Sequence, residues 1–211
     1  VTQQAEDQSW TRDQVREEID RWQLRTQSPA KLPEITPGPL YTYPIIRLKD
    51  RLKIDLGFGI YHDLPEKEAK KFKEGDVVRI DPSLRGSDKR QPVIARRPKA
   101  DEAISDLYTY QATVTQVVDG DTFHALIDLG FETTLAQRVR LRRIDAPEIL
   151  TADGKEAKTY LEKILSRDHG RILLQSRDLD QHGRPIADVW VQGKSIDQEL
   201  LDKGLAVRIS E

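Results

Sequence analysis

From Leu107 onward, five short apolar-alternating runs follow one another, and one helical segment interrupts them after the third. The runs are YQATVTQVV, TFHALIDLG, RVRLRRI, RILLQSRDLD and PIADVWVQG. Period-two alternation turns one face of each toward a core and the other toward solvent. The interruption, DGKEAKTYLEKILSR, puts Ala157, Leu161, Ile164 and Leu165 on one helical face. A closing helix, SIDQELLDKG, follows the fifth run, with Ser195 and Gln198 at capping-box spacing and Gly204 as its stop. Five strands with a helix after the third fit an OB-type barrel, so the fold class is mainly β with α (α+β).

The first hundred residues are patterned differently. TRDQVREEIDRWQL reads as a helix, with Thr11 and Gln14 as its capping pair and Val15, Ile19 and Trp22 as its apolar stripe. Four prolines in residues 27 to 39 read as an extended linker or strap. Beyond it, RLKIDLG, GDVVRID and PVIARR read as strands of a small, mostly β unit. LPEKEAKKFKEG reads as a short helix between the first two, with Pro65 in its first turn and Gly75 as its C-cap. The run RGSDKRQPVIARRPK is the most basic in the chain; it is either a solvated loop or a phosphate-facing patch. The expected organisation is thus a helix and linker (1–39), a small β-rich unit (40–104) and the barrel (105–211). LYTY, DLGF and RID each occur once in the small unit and again, in the same order, in the barrel. A degenerate repeat and chance among common strand residues both explain that echo.

Bulk properties exclude several functional classes. Of 211 residues, 33% are charged and 37% hydrophobic, enough apolar material for a core under a polar surface. The net charge of −2 gives no global basic field, so any nucleic-acid contact must be local. The absence of Cys rules out disulfides and thiolate zinc sites. No apolar run approaches the roughly 18 residues of a membrane span, and no signal peptide is visible. The compartment stays open. A chain with no Met, even at position 1, reads as a processed or trimmed product.

The stretch VVDGDTF sets the functional question. Asp119-Gly120 between alternating runs is a hairpin signal, since a tight turn needs positive φ at its centre. That leaves Asp121 unexplained, at a strand start that disfavours Asp. Other acids and arginines stand at comparable places: Arg140, Asp145 and Glu148 in VRLRRIDAPE, and Arg184 in DLDQHGR. Each has a plain reading: a strand terminator at Asp145, an exposed strand face at Arg138, Arg140, Arg142 and Arg143, a polar loop from Asp180 to Arg184. Taken together they are better explained by one site, because strand ends of a small barrel converge.

VVDGDTF, VRLRRIDAPE, GKEAKTYL, DQHGRPIADVWV and DQELLDKGLA, in that order, resemble the staphylococcal nuclease (thermonuclease) family over residues 107 to 211. The resemblance implies an OB-type barrel and a calcium-dependent nuclease acting on DNA or RNA, single-stranded or unpaired. It implies Asp121 and Asp145 as carboxylate ligands of Ca2+ and the backbone carbonyl at Ala146 as a third ligand. Glu148 would be the general base, and Arg140 and Arg184 would hold the scissile phosphate. It also implies a 5′-oxygen leaving group and 3′-phosphate products.

The chemistry suits that division. A hard cation takes oxygen ligands, and a planar guanidinium engages phosphate oxygens in bidentate fashion. Residues 108 to 211 carry fourteen Lys and Arg against seventeen Asp and Glu, so substrate approach depends on local arginines. Where the family's best-known member has tyrosines near the base, this chain has His182 and a terminus without aromatics; stacking would then fall to Tyr108, Tyr110 or the N-terminal unit. His62, His124, His169 and His182 show no metal-ligand spacing. The alternative function is a non-catalytic scaffold that binds nucleic acid or protein. A third expectation gives the N-terminal half a protein partner or a membrane-bound complex.

Overall fold

The computed structural model describes residues 11–12, 31–64, 69–80, 107–180 and 183–209. The expected N-terminal helix beyond Arg12, the PVIARR strand, the basic run and His182 lie outside these residues, as does the first turn of the expected short helix.

Four strands form the first unit: β1 (Thr42–Leu48), β2 (Arg51–Asp55), β3 (Tyr61–Asp63) and β4 (Val77–Arg79). Their order is β3-β2-β1-β4, antiparallel throughout. The second unit contains β5 (Thr109–Val117), β6 (Thr122–Asp128), β7 (Thr134–Leu141), β8 (Ile144–Asp145), helix α1 (Ala152–Leu165), β9 (Arg171–Leu179) and β10 (Pro185–Val191). It closes with β11 (Lys194–Ser195), helix α2 (Ile196–Asp202) and β12 (Val207–Arg208).

The five long strands make a mixed barrel of the OB type. β5 pairs with β6, β6 with β7 and β9 with both β5 and β10, all antiparallel; β7 and β10 close the ring in parallel. Phe123, Ile127, Val139, Leu141, Leu174 and Val189 point inward and are buried. Helix α1 buries the four apolar residues expected of it and is capped by Thr151, whose hydroxyl accepts from Gly154 N at 2.9 Å. Among the described residues the first unit is a four-stranded antiparallel sheet in the order β3-β2-β1-β4, a different arrangement from that of the strands that carry the echoing runs in the barrel.

Sheet and barrel share one apolar core. Tyr41 N donates to Thr109 O at 2.9 Å, and Tyr108 N to Thr42 O at 3.1 Å. Tyrosine hydroxyls cross the join in both directions: Tyr43 to Leu129 O at 2.9 Å and Tyr110 to Leu56 O at 2.8 Å. Burial pushes both phenols above their usual range. Tyr110 is fully buried, so it cannot stack on a nucleotide base, contrary to expectation. Tyr108 gives its hydroxyl to Asp55 Oδ2 at 2.9 Å.

The capping box expected on α2 does not form. Ser195 is the N-cap residue, but its hydroxyl accepts from Arg143 Nη2 at 3.3 Å rather than from the helix. Gln198 Oε1 accepts from Leu32 N at 2.8 Å. Neither oxygen is given to the cap: each accepts from a donor far along the chain, while Gln198 Nε2 donates to Asp202 Oδ1 at 2.7 Å. The stop is as expected: Gly204 has φ +66° and donates to Leu201 O at 2.9 Å.

Candidate active site

The turn between β5 and β6 is wider than a two-residue hairpin. Val118 N and Asp119 N both reach Thr122 O, at 2.9 and 3.2 Å, and Asp119 Oδ1 accepts from Asp121 N at 3.2 Å. Gly120 is not among the positive-φ residues, which corrects the hairpin argument for it. Its need for glycine is spatial. A Cβ there would stand 2.6 Å from that of Ala146 and 2.8 Å from that of Ala157. The turn therefore presses against the β8 end and helix α1, and that contact aims Asp121 inward.

Asp121 is buried, with its side chain 7% exposed. Its Oδ1 accepts from Thr122 Oγ1 at 2.8 Å and its Oδ2 from Ala146 N at 3.1 Å. Arg140 Nη2 stands 3.4 Å from that Oδ2 and 2.7 Å from Asp145 Oδ1. Burial raises the Asp121 carboxyl to about 6; Arg140 opposes this, and Asp119 adds to it. Desolvation outweighs the nearby Arg140 guanidinium here.

Arg140 sits where three strands meet: opposite Thr122 of β6 and beside Ile186 of β10. Asp145 pairs with Val207 across β8 and β12. Pro147 then turns the chain toward α1. Glu148 is exposed, and its carbonyl accepts from Thr151 N at 2.9 Å and Thr151 Oγ1 at 2.7 Å. A Cβ on Gly154 would strike the Glu148 backbone, so the first turn of α1 fixes where this acid stands. Arg184 is bound by Asp180, whose Oδ1 accepts from its backbone N at 2.9 Å and Oδ2 from its Nε at 2.5 Å.

Of the residues singled out by sequence, the fold thus gathers Asp121, Arg140, Asp145 and Ala146. Arg184 stands two residues before the β10 partner of Arg140, and Glu148 three residues beyond Asp145. Among the described residues no cluster of three or more His, Cys, Asp or Glu side chains is present. The acids brought together on Arg140, Asp121 and Asp145, offer hard carboxylate oxygens, the donor type that calcium takes.

A second group of charges was not foreseen. Asp188 is fully buried and accepts from Arg142 Nε at 3.1 Å and Arg177 Nε at 3.0 Å, with Arg143 Nε at 3.3 Å. Arg143 also donates to Asp197 Oδ2 at 3.1 Å and to Pro33 O at 3.1 Å. Arg143 is therefore core, not an exposed strand face. The network fixes the β7–β8 corner just before Asp145. Its sequence signal was Asp188 inside the otherwise apolar run PIADVWV; Asp197, in the mixed stretch SIDQELL, carried none.

Residues 138–211 match the family described as staphylococcal nuclease homologue. The chain is 30% identical over 154 residues to the probable staphylococcal-like nuclease CAN1 of Oryza sativa subsp. japonica, covering 69% of this chain and 45% of that protein. It is 31% identical over 99 residues to the thermonuclease of Staphylococcus intermedius, covering 44% and 56%. It is 32% identical over 102 residues to Protein ParB of Escherichia coli, covering 44% and 54%. The chain spans about half the length of the curated relatives it matches. No described helix is long and apolar enough to cross a membrane.

Proposed function

We propose that this chain, whose residues 138–211 match the staphylococcal nuclease homologue family, hydrolyses phosphodiester bonds of DNA or RNA, single-stranded or unpaired, with the help of calcium. The observation that carries the reading is the meeting of Asp121 and Asp145 on one nitrogen of Arg140. Two acids from separate segments, one buried, share a single guanidinium, and a second arginine, Arg184, is clamped by Asp180 two residues before the β10 partner of Arg140.

Asp121, Asp145 and the carbonyl of Ala146 would hold the calcium. When bound, calcium offsets negative charge that builds on the phosphate during attack. Arg140 touches both acids through Nη2 alone, which leaves its other nitrogens for a phosphate oxygen. Arg184 is held by Asp180 at its backbone N and Nε, and its terminal nitrogens would donate to the same phosphate. Glu148 takes a proton from the attacking water as the new phosphorus–oxygen bond forms. The bond to the 5′-oxygen breaks, that oxygen takes a proton from solvent, and the phosphate stays on the 3′ side.

Cleavage of single-stranded and heat-denatured DNA, with calcium and then with chelator, tests this. Activity should vanish with chelator. It should also fall sharply in Glu148→Gln. Cleavage indifferent to chelation would remove the metal assignment, and binding without any cleavage would favour the scaffold function.

A further inference from the structure

Arg138 stands two residues before Arg140 in β7, so both side chains leave the same face of the strand. Across the ladder, His124 faces Arg138 and Thr122 faces Arg140. The two arginines differ in how firmly they are held. Arg140 lies 2.7 Å from its carboxylate, whereas Arg138 Nη2 lies 3.8 Å from Asp119 Oδ2, and its side chain is 41% exposed. The Nε of Arg138 is shielded from solvent and has no hydrogen-bond partner among the described residues.

A guanidinium offers five donors in a fixed fork, and one long contact to a carboxylate leaves most of them for another anion. Two residues along a strand span about 7 Å. That is too far for one phosphate group to satisfy both guanidinium groups face-on. It suits neighbouring phosphates of an extended strand. The barrel half has more acids than bases, so a local pair of arginines has little general attraction behind it and must hold the backbone itself.

We infer that Arg138 forms a second phosphate subsite beside Arg140, taking a phosphate next to the scissile one in a single-stranded polynucleotide. The inference rests on the nuclease reading above. It makes the site a reader of chain length: a dinucleotide has no phosphate for Arg138, and an oligonucleotide does.

The test compares the parent, Arg138→Ala and Arg138→Lys. Binding of a fluorescein-labelled single-stranded oligonucleotide is followed by anisotropy across a salt series, and cleavage is measured on the oligonucleotide and on a dinucleotide with one phosphodiester. Arg138→Ala should weaken oligonucleotide binding about tenfold and reduce the slope of log affinity against log salt by about 0.7. The ratio of kcat/KM for oligonucleotide over dinucleotide should fall by a similar factor. Arg138→Lys should recover part of the binding, because it keeps the charge but not the fork. An unchanged salt slope overturns the subsite. So does an equal loss on both substrates, which would mean that Arg138 only holds Asp119 and the turn. A parent that binds but does not cut counts against the nuclease reading alone, since binding still reports on Arg138. A parent that does not bind the oligonucleotide overturns the subsite too.

Discussion

Arg140 Nη2 lies 2.7 Å from Asp145 Oδ1, and the same nitrogen reaches the buried Asp121. Arginine is thus both the counter-charge of the acids and a candidate donor to the phosphate. Arg140→Ala should lower kcat about 100- to 1,000-fold, as loss of a preorganised donor does. It also removes the cation that holds the Asp121 carboxyl down, so the acid limb of a kcat–pH profile should move to higher pH. A rate-reduced variant with an unmoved acid limb would show that the two acids do not depend on this arginine.

Asp180 holds Arg184 at two points. On the proposed function it would act as a positioning residue, orienting the Arg184 guanidinium. Asp180→Asn should reduce kcat about 10- to 100-fold, the order expected when a reactive group is misplaced. KM should change less. A rise in KM alone, with kcat intact, would argue against this role.

Gly120 is fixed by space rather than by dihedral angle. Gly120→Ala would force the β5–β6 turn away from Ala146 and Ala157, and overpacking of this kind costs about 1–3 kcal/mol. Because that turn aims Asp121, denaturation midpoint and calcium affinity should fall together. Urea unfolding and calcium titration of the same protein check this.

Burial pushes Asp197 up to about 7; Arg143 opposes the shift and Asp188 adds to it. In an unfolded chain such a group titrates near about 3.9. Between those values the folded state binds the extra proton, so this group's contribution to stability falls as pH rises from about 4 to about 7. In Asp197→Asn that slope should disappear. Melting temperatures of parent and variant across the window check it; parallel curves would show that Asp197 does not titrate there.

The barrel was legible because its strands alternate cleanly and its helices carry strong stripes: Leu161 and Ile164 of α1 are buried as their spacing requires. The acids at Asp121 and Asp145 and the arginine between them were legible as misfits, polar groups where local propensity wants something else. What stayed hidden was set by distant contacts. Gly120 was given a turn's reason when its reason is Ala157. Ser195 and Gln198 have the spacing of a cap, yet Arg143 and Leu32 claim them. Arg143 read as surface because a strand's alternation says nothing of a buried acid on another element. Tyr110 looked available for stacking until the sheet of residues 42–79 covered it.

The strap at Leu32 and Pro33 changes how this chain can be divided. Leu32 donates to Gln198, and Pro33 accepts from Arg143, so a segment ahead of the first sheet is stitched into the last helix and the corner beside Asp145. A fragment cut to begin near residue 105 would keep every strand of the barrel. It would also strip an acceptor from a buried guanidinium and bare the ring of Tyr110. The barrel and its leading segment are therefore parts of one folding unit in the practical sense that matters at the bench: trimming to the nuclease-like half takes the site's own scaffolding with it.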